Sequence, residues 1–184
     1  MELIKNLKEI SLLKNLFLAI FATIILAISA KVKIPLLWSP IPMTMQTFVV
    51  LSIGIAFGWK LGLFTVTLYL AEGIAGLPVF AGTPEKGMGI VYFTGPTMGY
   101  LIGFLVAVYL TGFFNFDNNF FKNFSRLLFS VSFIYLLGLI WLGSLIGWDK
   151  PVFKLGAQPF LLAELFKILL LALLMPAVLK FRKL

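Results

Sequence analysis

The sequence predicts an all-α membrane protein, a bundle of six transmembrane helices with both termini in the cytoplasm. Three observations predict it. Of the 184 residues, 61% are hydrophobic and only 12% charged, where a soluble domain carries about 25% charged residues. Apolar runs of membrane-crossing length recur along the chain. Finally, the 15 basic residues divide unequally between the two sides that six spans would create, and cytoplasmic loops are the basic ones.

The net charge of +8 fits those loops better than nucleic acid, because the lysines and arginines sit at loops and ends and form no stripe. With no cysteine there is no disulfide or thiolate metal site, and with no histidine the commonest metal ligand and general base is missing. Enzymatic chemistry is disfavoured. No Walker-type phosphate loop occurs, so ATP hydrolysis by that route is excluded, and no two-fold internal repeat of the secondary-transporter kind is visible.

The first span is expected over about 12–30. The basic start (Lys5, Lys8, Lys14) resembles a signal peptide, yet the length of the run suits an anchor that stays. Ala19, Thr23 and Ala27 form a small-residue ridge along it, either packed inside the bundle or serving as a docking face for another membrane protein. Pro35, Pro40 and Pro42, with Trp38, then break any helix between Lys31 and Gln46.

The apolar stretch 44–76 would be about 50 Å long as one helix, too long for a bilayer core. Gly58-Trp59-Lys60-Leu61-Gly62 supplies a turn, so two spans are expected, 44–58 and 61–76. A Gly- and Pro-rich loop carrying Phe80 and Gly82 follows, where exposed N–H groups could meet a carboxylate. The fourth span is expected over 95–116, with Gly95, Gly99 and Gly103 at four-residue spacing beside Tyr100. The polar stretch through Arg126 reads as a loop, and the fifth span as 127–146.

The sixth span, 159–179, carries Glu164 and Lys167 in an otherwise apolar run. Residues three apart share a helix face, and each charge costs roughly 2.5–3.5 kcal/mol near the centre of a membrane helix. That face is expected to hold a polar solute, or else to be a structural ion pair. Six spans leave nine basic residues on the side of the termini and five on the other, which puts both termini in the cytoplasm. Glu164 then lies about 8 Å below the outer start of its helix. The whole chain, 1–184, is read as one multi-pass domain in the cell membrane.

Four segments in order, PIPMTMQT (40–47), GLPVFAG (76–82), GPTMGYLIGF (95–104) and PFLLAELFK (159–167), resemble the signature segments of the BioY family. These are the biotin-binding S components of energy-coupling factor transporters. The resemblance implies a six-helix bundle that takes biotin from outside. It implies as partners a transmembrane coupling protein and two ATPase subunits, or self-association, in the lipid bilayer. No cofactor is implied: biotin is cargo, and only partner subunits would use ATP. By the same resemblance, Ala19, Thr23 and Ala27 would contact the coupling protein. The last segment departs from the pattern, reading Leu162-Ala163-Glu164 where the family usually reads Pro-Gly-Asp, and Thr83-Pro84-Glu85-Lys86 replaces further glycines. The chemistry fits biotin: Glu164 can accept from a ureido N–H while Lys167 donates to the ureido carbonyl or the valerate carboxylate. Gln46 and Tyr100 would complete the polar set, with Trp38 and Phe80 over the apolar parts and Gly82 at the loop. Open alternatives are an S component for a biotin precursor or another small vitamin, and a non-transporting membrane assembly subunit.

Overall fold

The computed structural model describes residues 2–34, 39–117 and 119–182. Its architecture is helical apart from one small β-hairpin. Helix α1 (Glu2–Lys31) lays Ala19, Ala22, Leu26 and Ala30 against the rest of the bundle. Its other faces leave Leu13, Phe17, Phe21, Ile24 and Ile28 exposed, the pattern of a helix bathed in lipid. Strands β1 (Lys33–Ile34) and β2 (Met43–Thr44) pair antiparallel, Lys33 opposite Thr44.

Helix α2 spans Gln46–Ile74 but is not one rod. Gly58, at φ 72° and ψ 174°, breaks it, a conformation that a side chain disfavours. The chain reverses there: Gln46 Nε2 donates to Tyr69 OH at 2.8 Å, although 23 residues of straight helix would separate them by about 34 Å. A Cβ on Gly62 would lie 3.4 Å from Gly54 Cα, so the two arms, 46–57 and 59–74, run side by side. The turn read from residues 58–62 is a reversal with almost no loop.

A long connection holds the short helix α3 (Ile90–Phe93) and leads to α4 (Met98–Phe113), which packs against both arms of α2 and against α5 (Phe120–Ile146). Backbone approach is close: a Cβ on Gly103 would stand 2.6 Å from Ile134 Cα, and one on Gly99 2.4 Å from Leu137 O. Helix α5 starts seven residues before the expected 127. Asn119 caps it, its side chain accepting from Lys122 N at 3.0 Å, and the polar residues 122–126 form its first turns rather than a loop. Asn123 is buried and donates to Asp117 O. Short helix α6 (Val152–Gly156) and a 3-10 turn (Gln158–Phe160) then feed α7 (Leu161–Phe181), whose buried stripe is Glu164, Lys167, Ile168, Leu171, Ala172 and Met175.

Among the described residues, four stretches are long and apolar enough to cross a membrane: Ser11–Lys31, Gln46–Ile74, Phe120–Ile146 and Val152–Phe181. Met98–Phe113 is a shorter apolar helix. The two ends of the bundle differ. One carries the β-hairpin, α3 and α6. At the other, Arg182 donates to Gly112 O (3.2 Å) and Phe114 O (3.3 Å), Arg126 donates to Asn115 O, and Lys122 pairs with Asp117 at 2.9 Å. The two arginines satisfy carbonyls at and just past the end of α4.

Candidate functional site

The site is assembled at the hairpin end from the starts of α2, α4 and α7 and the middle of α5. Glu164 and Lys167 are 4% and 8% exposed. They meet because i and i+3 share a helix face, with Lys167 Nζ 3.2 Å from Glu164 Oε2. Two residues that sequence reading missed complete the polar group. Thr47 Oγ1 accepts from Lys167 Nζ at 3.1 Å, and Tyr135 OH donates to Glu164 Oε2 at 3.0 Å. Oε2 thus has two donors. Oε1 is buried with no hydrogen-bond partner, although a carboxylate accepts readily at both oxygens and an unmade buried bond costs about 1–3 kcal/mol. The cleft beside it is small, about 60 Å³. Known ligand pockets run to about 300–1,000 Å³, so a vitamin-sized guest requires side chains to move aside.

Of the remaining expected residues, Gln46 and Tyr100 line the cleft. Gln46 is held by Tyr69, whose hydroxyl donates on to Val79 O at 2.9 Å, and by Thr44, which donates to Gln46 Oε1 at 3.3 Å. Tyr100 donates to Gly156 O at 2.8 Å and so ties α4 to the end of α6. Phe80 stands behind the wall: it is 1% exposed, stacked on Tyr92 (4.8 Å) and edge-on to Tyr69 (5.3 Å). Its neighbour Ala81 reaches the cleft instead, and Tyr92 OH donates to Ala81 O at 2.8 Å. Gly82 (φ 83°) turns the loop against Lys86 and does not line the cleft. Trp38 lies outside the described residues.

The loops are tied by lysines. Lys31 Nζ donates to Phe80 O (3.1 Å) and to Thr83 O and Oγ1 (both 2.9 Å), and Lys86 Nζ donates to Pro40 O at 3.0 Å. Thr97, Phe104 and Ile134 are further cleft residues that the sequence did not single out. The single tyrosine of the apolar span 127–146 was the available signal for Tyr135, and adjacency to Gln46 the one for Thr47.

The small-residue ridge of α1 is placed differently from a free docking face. Ala19 and Thr23 are buried within this chain, and Thr23 Oγ1 donates to Glu72 Oε1 at 2.9 Å on the second arm of α2. Thr23 and Ala27 both border the open groove between α1 and that arm. The reason is the Thr at the middle position, whose hydroxyl satisfies a carboxylate that would otherwise face apolar surroundings.

Comparison with known proteins identifies the family. The model of the BioY family matches residues 4–183. The "Probable biotin transporter BioY" of Pyrococcus horikoshii is 34% identical over 160 residues, 87% of this chain and 89% of that one. The "Biotin transporter BioY" of Thermotoga maritima is 31% identical over 166 residues, 88% of this chain and 94% of that one. A solved structure, the crystal structure at 2.1 Å of the S-component for biotin from an ECF-type ABC transporter, superposes with a TM-score of 0.78. Its identity is 28%, with 95% of this chain and 93% of the other covered. The chain belongs to the BioY family.

Proposed function

We propose that this member of the BioY family is a biotin transporter, the substrate-binding S component of an energy-coupling factor system. It captures the vitamin and does no chemistry on it. The observation that carries this reading is the buried Glu164–Lys167 pair with Oε1 unpartnered beside a cleft. A cyclic urea presents N–H donors next to a carbonyl acceptor, matching a carboxylate oxygen and an ammonium set side by side. Charged hydrogen bonds of this kind contribute about 1.5–3 kcal/mol each. Gln46, Thr47, Tyr100 and Tyr135 supply the remaining polar lining, and Phe104 and Ile134 an apolar wall for the thioether ring and valerate chain.

Counting the two arms of α2 separately gives six spans in the cell membrane with both termini cytoplasmic. Lys60, Lys122, Arg126, Lys180 and Arg182 gather at the end away from the site, which supports that orientation. The cleft then opens outward. A transmembrane coupling protein and two ATPases would drive inward release, as the likeness to a biotin S-component of an ECF-type ABC transporter suggests. Of the α1 ridge, Thr23 and Ala27 border an open groove while Ala19 is buried, so a contact of α1 with the coupling protein would centre on those two.

Uptake of labelled biotin into cells expressing the chain, alone and with an energising module, tests this reading. Saturable uptake that unlabelled biotin abolishes and dethiobiotin reduces weakly is expected. No uptake above control cells, with folded protein in the membrane, would overturn it. Dethiobiotin competing better than biotin would transfer the assignment to the precursor.

A further inference from the structure

The two oxygens of Glu164 have opposite roles. Oε2 takes both the Tyr135 hydroxyl (3.0 Å) and Lys167 Nζ (3.2 Å), while Oε1 is buried and takes nothing. A carboxylate on a long side chain turns easily about its last torsion, so something must decide which oxygen faces the cleft. Lys167 is poorly suited to decide it. An ammonium is a compact point charge with three rotatable donors, and this one is shared with Thr47 Oγ1 at 3.1 Å. Tyr135 is different. Its ring is held edge-on to Tyr100 (6.1 Å, 89°) and tilted against Phe160 (6.5 Å, 36°), so its single O–H donor has one place to be. It also comes from α5, across from α7, and so fixes the carboxylate against a second helix.

We propose that Tyr135 is a positioning residue for ligand selectivity, which locks Glu164 so that Oε1 alone reads one N–H of the bound cyclic urea. The inference rests on the biotin reading above. It predicts a site that distinguishes the two ureido nitrogens, because one acceptor oxygen serves one of them.

The test titrates the purified protein, wild type and Tyr135→Phe, with biotin and its two ureido N-methyl derivatives. In wild type, methylation at one nitrogen is expected to weaken binding at least tenfold more than methylation at the other. Tyr135→Phe is expected to weaken biotin about fivefold or more and to shrink that gap at least threefold. Equal losses for the two derivatives in wild type would overturn the proposal, and this arm needs no variant to fold. A Tyr135→Phe affinity within twofold of wild type would also overturn it. So would an equal loss for all three ligands, the mark of a packing defect. In each of these cases biotin still binds and the transport reading stands; wild type that binds no biotin removes that reading itself.

Discussion

Replacing Lys167 by Met removes the ammonium and keeps most of the side-chain volume. Glu164 would be left 4% exposed with Tyr135 as its remaining donor on Oε2 and none on Oε1. Breaking a buried pair by deleting one partner costs about 3–5 kcal/mol, whereas replacing both charges by neutral groups of similar shape is often nearly neutral. At about 2–4 °C per kcal/mol for a chain of this size, Lys167→Met should lower the unfolding temperature by about 6–20 °C. The double variant Glu164→Gln/Lys167→Met, whose amide can still accept from Tyr135, should recover most of that loss. The assay is thermal unfolding in detergent followed by circular dichroism, with biotin titrated into the same samples. The two variants should separate in stability yet both lose biotin. A single variant within about 1 kcal/mol of wild type, or a double variant no more stable than the single, would refute the idea that the pair is mutually dependent in a dry site.

Other consequences can be checked in the same preparations. Gly112→Ala would push a Cβ to 2.3 Å from Trp59 N and 2.5 Å from Trp59 Cα; because backbone has to yield, a loss of about 1–3 kcal/mol is expected in denaturant titration. The Lys122 ammonium, and then the Asn119 N–H, hold the Asp117 carboxyl below the ordinary value of 3.8. Its stabilising contribution is therefore present above that value and lost as pH falls through the lower folded-state value. Asp117→Asn should lack this component of acid unfolding, seen as a shallower pH dependence of melting below about pH 4. Single cysteines introduced at Lys60 or Lys180 should react with impermeant maleimide only from the cytoplasmic side, and ones at Glu85 or Asp149 only from outside; the reverse pattern would invert the orientation.

Much of the fold was legible because bilayer thickness fixes helix length and because polar residues are scarce enough to mark ends. Gly58 signalled a turn for a physical reason, since its φ of 72° suits no other residue. The start of α5 was not legible: FFKNFSR looks like a loop by polarity, and its helical state depends on the Asn119 cap and on burial of Asn123 against Asp117. Glu164 and Lys167 stood out as charges in an apolar run, and the structure brings them together with Gln46 and Tyr100. Phe80 was read as a cover for the ligand's apolar parts, and an aromatic in a Gly-rich loop gives no sign of its packing against Tyr92 and Tyr69. Tyr135 and Thr47 were missed since their role exists only once α5 and α2 pack beside α7. The ridge on α1 was visible as spacing, but its partner, Glu72, lies 49 residues from Thr23.

The most direct measurement is calorimetric titration of biotin into the purified protein beside Lys167→Ala and Glu164→Ala. Saturable binding in wild type, weakened by at least about 1.4 kcal/mol, or tenfold, in either variant, is the predicted result. No heat and no displacement with folded wild-type protein would contradict the ligand, and tight binding retained by both variants would contradict the site.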